Sequence, residues 1–390
     1  MLKLLSLICL IRLIYAKFIK TMSAVYIHIP YCKSKCHYCD FYSVTDLSSV
    51  PEFLNALMTE IRERAKASMV GGKKVKVDTI YFGGGTPSIL YGEDIKDILG
   101  CVKENFDVLQ RAEITVEVNP DSLDSDFLDG CVSGGVNRIS LGVQSHCDNM
   151  LKKIGRPHKF SDVEKAIELV ESFGITNISV DAILGLPNQN KKSLLDTLEK
   201  LIAFKAVKHV SLYALTVEKG TQFFKERKAV DLDFQADLYE AAVEFLKQKN
   251  FLRYEISNFS KRGFESKHNS KYWTGENYFG FGAGAHSLID GVRSENPKDI
   301  MGYINNPLIQ KTHALTKEEK LEEAVMLALR TTKGISISEL KQNQDYDILV
   351  EKQAELKQLQ KGGLIIIDSD NIRLTDKTFY LLNSIVLKLI

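Results

Sequence analysis

The chain has 390 residues, which at about 150 residues per domain fits two to three domains, or one large barrel with an appendage. An apolar fraction of 44% and a charged fraction of 26% are ordinary for a globular protein and exclude disorder as the main state. Basic residues number 51 and acidic residues 50, so a formal charge of +1 argues against a dedicated nucleic-acid binder.

Residues 1–22 read as an N-terminal extension. They carry four basic residues and no acidic one, and their apolar stretch from Leu4 is broken at Arg12, too short to span a bilayer. Three readings stand: a start upstream of the true one at Met22, an organelle transit segment, or a secretory signal. The last conflicts with the cysteines. There are seven of them, Cys9, Cys32, Cys36, Cys39, Cys101, Cys131 and Cys147, an odd and uneven set that makes a poor disulfide framework. Three fall between Cys32 and Cys39, a spacing that favours a metal or cluster in a reducing compartment. The expected location is therefore the cytoplasm, or an organelle if the first 22 residues are a transit segment.

Strand and helix patterns alternate from residue 23 to about 250. Strands are predicted at Val25–Ile29, Val77–Phe82, Glu113–Val118, Asn137–Val143, Asn177–Leu184 and His209–Leu215. Several are nearly continuous in apolar residues, as buried parallel strands are. Between them, apolar residues three and four apart predict helices at Pro51–Lys66, Asp94–Phe106, Ser161–Phe173, Lys192–Phe204 and Phe234–Gln248, with a shorter one at Ser122–Cys131. Ser161 and Glu164 have capping-box spacing, and Gly174 marks a helix exit. The order implies an α/β fold, a partial (β/α)6 barrel over residues 23–250. Residues 251–315, rich in aromatics and glycine, read as a connecting region. Residues 316–390 follow with helices at Lys317–Thr331, Ile337–Lys341 and Ile348–Lys361 and a hairpin at 364–374, a small winged-helix-like α+β domain. No further transmembrane pattern occurs.

In such sheets ligands sit beyond the C-terminal ends of the strands. The unusual residues fall there, one group after each of the first five strands. After the first comes Cys32-Lys33-Ser34-Lys35-Cys36-His37-Tyr38-Cys39. Structural zinc wants four ligands, and His37, adjacent to Cys36, could serve as the fourth only with strain. A cubane iron–sulfur cluster can be held by three cysteines, leaving one iron open; a zinc site stays as the alternative. After the second comes Gly83-Gly84-Gly85-Thr86-Pro87, whose glycines permit close backbone approach.

The C-x3-C-x2-C motif, with an aromatic before its last cysteine, resembles the radical S-adenosylmethionine (SAM) superfamily. Tyr26-Ile27-His28-Ile29-Pro30, Glu117-Val118-Asn119-Pro120, Leu141-Gly142-Val143-Gln144-Ser145 and Asp181-Ala182-Ile183-Leu184-Gly185-Leu186-Pro187 narrow the resemblance to the oxygen-independent coproporphyrinogen III oxidase-like family. The resemblance implies a [4Fe–4S] cluster on Cys32, Cys36 and Cys39. It implies an S-adenosyl-L-methionine site built from Tyr26, Tyr38, Gly84, Gly85, Thr86, Glu117, Gln144, Arg156, Asp181 and Ala214. Carboxylates suit ribose hydroxyls and Arg suits a carboxylate.

That family contains an oxidase, which decarboxylates two propionates of a porphyrinogen, and a heme chaperone, which binds heme and delivers it. The oxidase carries a fourth cysteine two positions after the cluster, where this chain has Phe41, and a long arm ahead of the first strand. His268-Asn269-Ser270-Lys271-Tyr272-Trp273 fits the chaperone's H-N-x-x-Y-W pattern. Its implied heme residues are His268, Asn269, Tyr272 and Trp273, since His can ligate heme iron and aromatic rings offer flat apolar surface. His286, in a second glycine-rich stretch, is a further candidate contact; His28, in mid-strand, reads as structural. Heme, a heme-accepting protein, by analogy a respiratory one, and an electron donor are the implied partners. Membrane contact and a homodimer stay open. A third class, a radical enzyme acting on RNA, would carry a second cluster domain and a basic module, and neither is visible.

Overall fold

The computed structural model describes residues 22–390. The expectations for the N-terminal extension fall on residues 1–21, outside the described residues.

The six predicted strands form: β1 (Ser23–Ile29), β2 (Lys76–Gly84), β3 (Asp107–Val118), β4 (Arg138–Gln144), β5 (Ile178–Leu184) and β6 (Val207–Ala214). They lie side by side in sequence order, all parallel. Helices α1 (Val50–Ala67), α2 (Gly92–Asn105), α3 (Ser125–Gly134), α4 (Phe160–Ser172), α5 (Lys191–Ile202) and α6 (Leu232–Gln248) connect them or follow the last. The apolar residues of each strand, such as Val25, Ile27 and Ile29 on β1 and Val116 and Val118 on β3, pack with these helices into one core. The alternate residues, by the two-residue period of a strand, face the barrel interior.

Two local expectations shift. Helix α3 starts after Asp124, not at Ser122, because the Asp124 carboxylate accepts from the Phe127 amide at 2.8 Å. Helix α4 starts at Phe160, and the reciprocal cap is Asp162 on the Lys159 amide at 2.8 Å, two residues ahead of the Ser161–Glu164 pair.

Residues 251–315 do more than connect. They supply β7 (Leu252–Arg253), β8 (Asn258–Ser260), α7 (Lys267–Thr274), β9 (Tyr278–Phe281), β10 (His286–Ile289), β11 (Val292–Glu295) and β12 (Lys311–Ala314). The first two strands extend the sheet beyond β6, and the last four extend it beyond β1. Strand β9 pairs with β1 in parallel and so adds a seventh parallel strand. Helix α7 lies against the inner side of β2, its first amides satisfied by the Glu113 carboxylate, which accepts from Lys267 N at 3.2 Å and His268 N at 3.0 Å.

The C-terminal region has α8 (Lys317–Ala328), β13 (Ile335–Ser336), α9 (Ile337–Gln344), α10 (Gln353–Lys361), β14 (Ile365–Ile367), β15 (Asn371–Leu374) and α11 (Leu382–Leu389). Its antiparallel sheet runs β13-β15-β14, the wing expected from the hairpin plus one short strand. It joins the barrel through Ile256 N to Arg330 O at 2.9 Å and Thr332 N to Tyr254 O at 3.0 Å, and through the Arg253 guanidinium 3.7 Å over the Phe379 ring. Among the described residues no helix is long and apolar enough to cross a membrane.

Candidate functional site

A cavity of about 720 Å³ opens at the C-terminal ends of the parallel strands. Cys32, Cys36 and Cys39 line it, as do Tyr26, Tyr38, Gly84, Gly85, Thr86, Glu117, Gln144, Arg156, Asp181 and Ala214. Thus residues from all six strand ends converge.

The cysteine loop is pinned at both sides. Its base closes through Cys32 N to Val44 O and Val44 N to Pro30 O, both 2.9 Å. Its tip is held by His37 N to Ile154 O and Phe223 N to His37 O, both 3.0 Å, above a small apolar cluster that includes Leu151, Ile154 and Phe223. Thr86 Oγ1 donates to Cys32 Sγ at 3.4 Å and Arg156 Nη1 to Cys36 Sγ at 3.6 Å. Burial pushes the Cys39 thiol up to about 11, and the neighbouring Cys36 and Cys32 add to the rise. Donors stand on two of the three thiols, and a bound metal cluster would supply the cationic charge that favours thiolate ligands. Three cysteines on one pinned loop fit a cubane, in which each sulfur binds a different iron.

The glycine turn is required by contact. A Cβ on Gly85 would stand 2.5 Å from the Tyr31 carbonyl oxygen, and one on Gly84, at φ +110°, would stand 2.6 Å from the His28 ring. Gln144 ends β4 at φ +70°, an uncommon conformation for a residue with a side chain, and it faces the same cavity.

The walls bury charge. Glu117 accepts from Tyr81 OH at 2.7 Å, yet burial pushes its carboxyl up to about 7 and Asp181 pushes the same way. Burial raises Asp181 as well, against Ser211 and Ser140, whose Oγ donates at 3.3 Å. Arg156 donates from Nη2 to Asn119 Oδ1 at 2.7 Å and to Gly142 O at 2.6 Å, while its Nε has no partner. The set can accept from hydroxyls and donate to a carboxylate.

Sequence reasoning missed Arg138. It is 1% exposed, starts β4 on the inward face, and its Nε has no partner. Its charge opposes the rise of both Glu117 and Asp181. Strand parity was the available signal, since 138, 140, 142 and 144 share one face. Asn119, which orients Arg156, stood within a quoted motif without a role.

The H-N-x-x-Y-W residues divide. Tyr272 lines the cavity, whereas His268, Asn269 and Trp273 do not. His268 is fully buried beneath the floor, stacked on Tyr81 at 5.0 Å. Its Nδ1 bonds Thr79 Oγ1 at 3.0 Å and its Nε2 bonds Tyr272 OH at 2.9 Å, so neither ring nitrogen is free. Burial pushes its imidazole down to about 3, which keeps it neutral. Trp273 is half-buried away from the cavity, its Nε1 buried without a partner and the Arg330 guanidinium 6.0 Å from its ring.

Comparison with known proteins agrees with this geometry. The sequence model of the radical SAM superfamily matches residues 26–201, and that of the HemN C-terminal domain matches 315–381. "Heme chaperone HemW" of Bacillus subtilis is 38% identical, over 91% of this chain and 95% of that one. The chain belongs to the HemW family. "Radical S-adenosyl methionine domain-containing protein 1, mitochondrial" of Mus musculus is 31% identical, over 95% of this chain and 88% of that one. Coproporphyrinogen III oxidase (HemN) of Escherichia coli superposes with a TM-score of 0.81 at 24% identity, over 96% of this chain and 91% of that one. That likeness shows the radical SAM barrel and its C-terminal domain as the fold. Membership of the superfamily implies a [4Fe–4S] cluster and S-adenosylmethionine.

Proposed function

We propose that this protein is a heme chaperone, which binds heme and passes it to an apo-hemoprotein while carrying a cluster and S-adenosylmethionine. The observation that carries the reading is the 38% identity, over nearly the whole of both chains, to a heme chaperone. Cys32, Cys36 and Cys39 would hold the [4Fe–4S] cluster. Gly84, Gly85 and Thr86 would take the methionine end of the cofactor. Glu117 and Asp181 would accept from its ribose hydroxyls, and Arg156 would pair with its carboxylate. Tyr26, Tyr38, Gln144 and Ala214 would complete the pocket. When bound, the cluster would supply an electron for cleaving the sulfonium. The acceptor would be a respiratory heme protein, the electron would come from a separate donor, and the protein would work in the cytoplasm. The domain reading is a barrel at 23–250, a heme-motif region at 251–315 and a winged-helix-like domain at 316–390.

One observation favours a second reading, oxidation of coproporphyrinogen III: the full cofactor set lines one cavity, with room beyond it. The test uses protein made from Met22, with its cluster reconstituted anaerobically. Incubation with S-adenosylmethionine, reductant and coproporphyrinogen III is expected to release no carbon dioxide. Heme should bind stoichiometrically and move to an apo-globin, and Cys36→Ala should slow that transfer. Formation of protoporphyrinogen would establish the oxidase instead.

A further inference from the structure

We propose that His286 is the axial ligand through which this protein holds heme iron, with Phe41 beside the porphyrin and Lys298 on a propionate. The proposal rests on the heme-chaperone reading and assigns its ligand.

The chain has eight histidines. A heme ligand needs a free ring nitrogen at a surface that a flat macrocycle can reach. Three fail on the first count. His268 is saturated as described. His28 bonds Tyr26 OH and Tyr42 O, both at 2.9 Å. His209 bonds Ser179 Oγ at 2.7 Å and Tyr254 OH at 2.9 Å. His37, His146, His158 and His313 do not line the cavity. His286 does line it, its side chain is 56% exposed, and its nearest charged neighbour is Glu295, at 3.8 Å.

The surroundings suit a porphyrin. Phe41 lies on the same cavity and is 68% exposed, a large aromatic face without protein cover. Lys298 also lines the mouth and supplies a cation for a propionate. The loops carrying His286 and Lys298 are locked together: Gly284 N donates to Pro297 O at 3.0 Å and Asn296 N to Ala285 O at 2.9 Å. Beneath them the buried Glu60 carboxylate accepts from Gly282 N and Asn296 Nδ2, both at 2.9 Å. The imidazole is thus presented from a rigid base. A mouth position also leaves heme accessible to an acceptor protein.

The experiment titrates ferric heme into the cluster-loaded protein and reads the Soret band and the heme electron paramagnetic resonance. His286→Ala is expected to abolish the imidazole-ligated spectrum and weaken binding at least tenfold, and added free imidazole should restore the spectrum. Lys298→Ala should weaken binding severalfold without changing the spectrum. If the wild type binds heme and His286→Ala keeps the imidazole signature, the assignment is overturned while the chaperone reading stands; loss in His268→Ala would then identify the ligand. If the wild type binds no heme, the chaperone reading itself falls and the assignment with it.

Discussion

Two regions of this barrel bury carboxylates, and they treat them in opposite ways. Under the glycine-rich turn at 282–285, Glu60 is fully buried and accepts from Arg64 Nη1 at 2.8 Å and Tyr303 OH at 2.7 Å, besides Gly282 and Asn296. Every lone pair is taken by the protein. In the cavity wall Glu117 has Tyr81 as its one side-chain donor, Asp181 has two serines, and Arg156 keeps an unpartnered Nε. Burial raises the carboxyls of Glu60, Glu117 and Asp181 alike, but Glu60 has more protein donors opposing the rise. A buried charge with full coordination is scaffold; one with capacity to spare is waiting for a ligand.

Breaking the scaffold should give the largest effect. Glu60→Leu removes the carboxylate that Arg64, Tyr303, Asn296 and the Gly282 amide share and is expected to cost roughly 3–5 kcal/mol in urea unfolding. A cost under about 1 kcal/mol would remove the contrast. Arg156→Met acts on the other region. It should lower S-adenosylmethionine affinity by roughly 1.5–3 kcal/mol, about tenfold or more, by calorimetry, because a charge-assisted contact is lost. Its unfolding midpoint should move less than that of Glu60→Leu.

Acidity gives a further test of the cavity wall. Glu117 is held up to about 7 in the fold and returns to its ordinary value near 4.5 when unfolded. Its protonated form therefore stabilises the ligand-free fold below the ordinary value, and that contribution is lost as pH rises through about 7. Thermal melts should show a decline on the order of 2 kcal/mol between pH 5 and pH 7.5, partly removed by Glu117→Gln. Glu255, also held up to about 7 by burial, and the raised Asp181 and Glu60 contribute in the same direction. Cofactor affinity should run the other way and rise with pH, since the ionised carboxylate is the better acceptor. A flat profile in both would show that Glu117 is already charged. The smallest effect belongs to the floor: Tyr272→Phe removes the partner of His268 Nε2 and should cost about 1 kcal/mol.

The parallel strands were legible because they are buried on both faces and read as apolar runs. The residues that line the cavity were legible because they cluster at strand ends in recognisable motifs. Residues 251–315 were not, since β8 to β12 are three or four residues long, too short for any period to show. Their place in the sheet comes from pairing with β1 and β6, which sequence order does not reveal. The closing helix Leu382–Leu389 was missed because its apolar residues lie on a short segment with no capping signal. No motif singles out Glu60 or Arg138; their burial comes from tertiary packing. His268 shows the reverse error of emphasis, because a motif does not state which of its side chains is turned inward.

The pairing of β1 with β9 joins Ala24 to Tyr278. This sets a clock on the birth of the protein. A ribosome adding roughly 5–20 residues per second needs on the order of tens of seconds between Cys39 and Tyr278. During that interval the three thiols have emerged, but the wall meant to enclose them has not. Arg156, Asp181 and the floor helix arrive in turn, and the pocket is whole only after most of the chain is out. A cluster on these thiols would therefore be inserted after synthesis, and the nascent cysteines would be most vulnerable to oxidation in the half-made barrel.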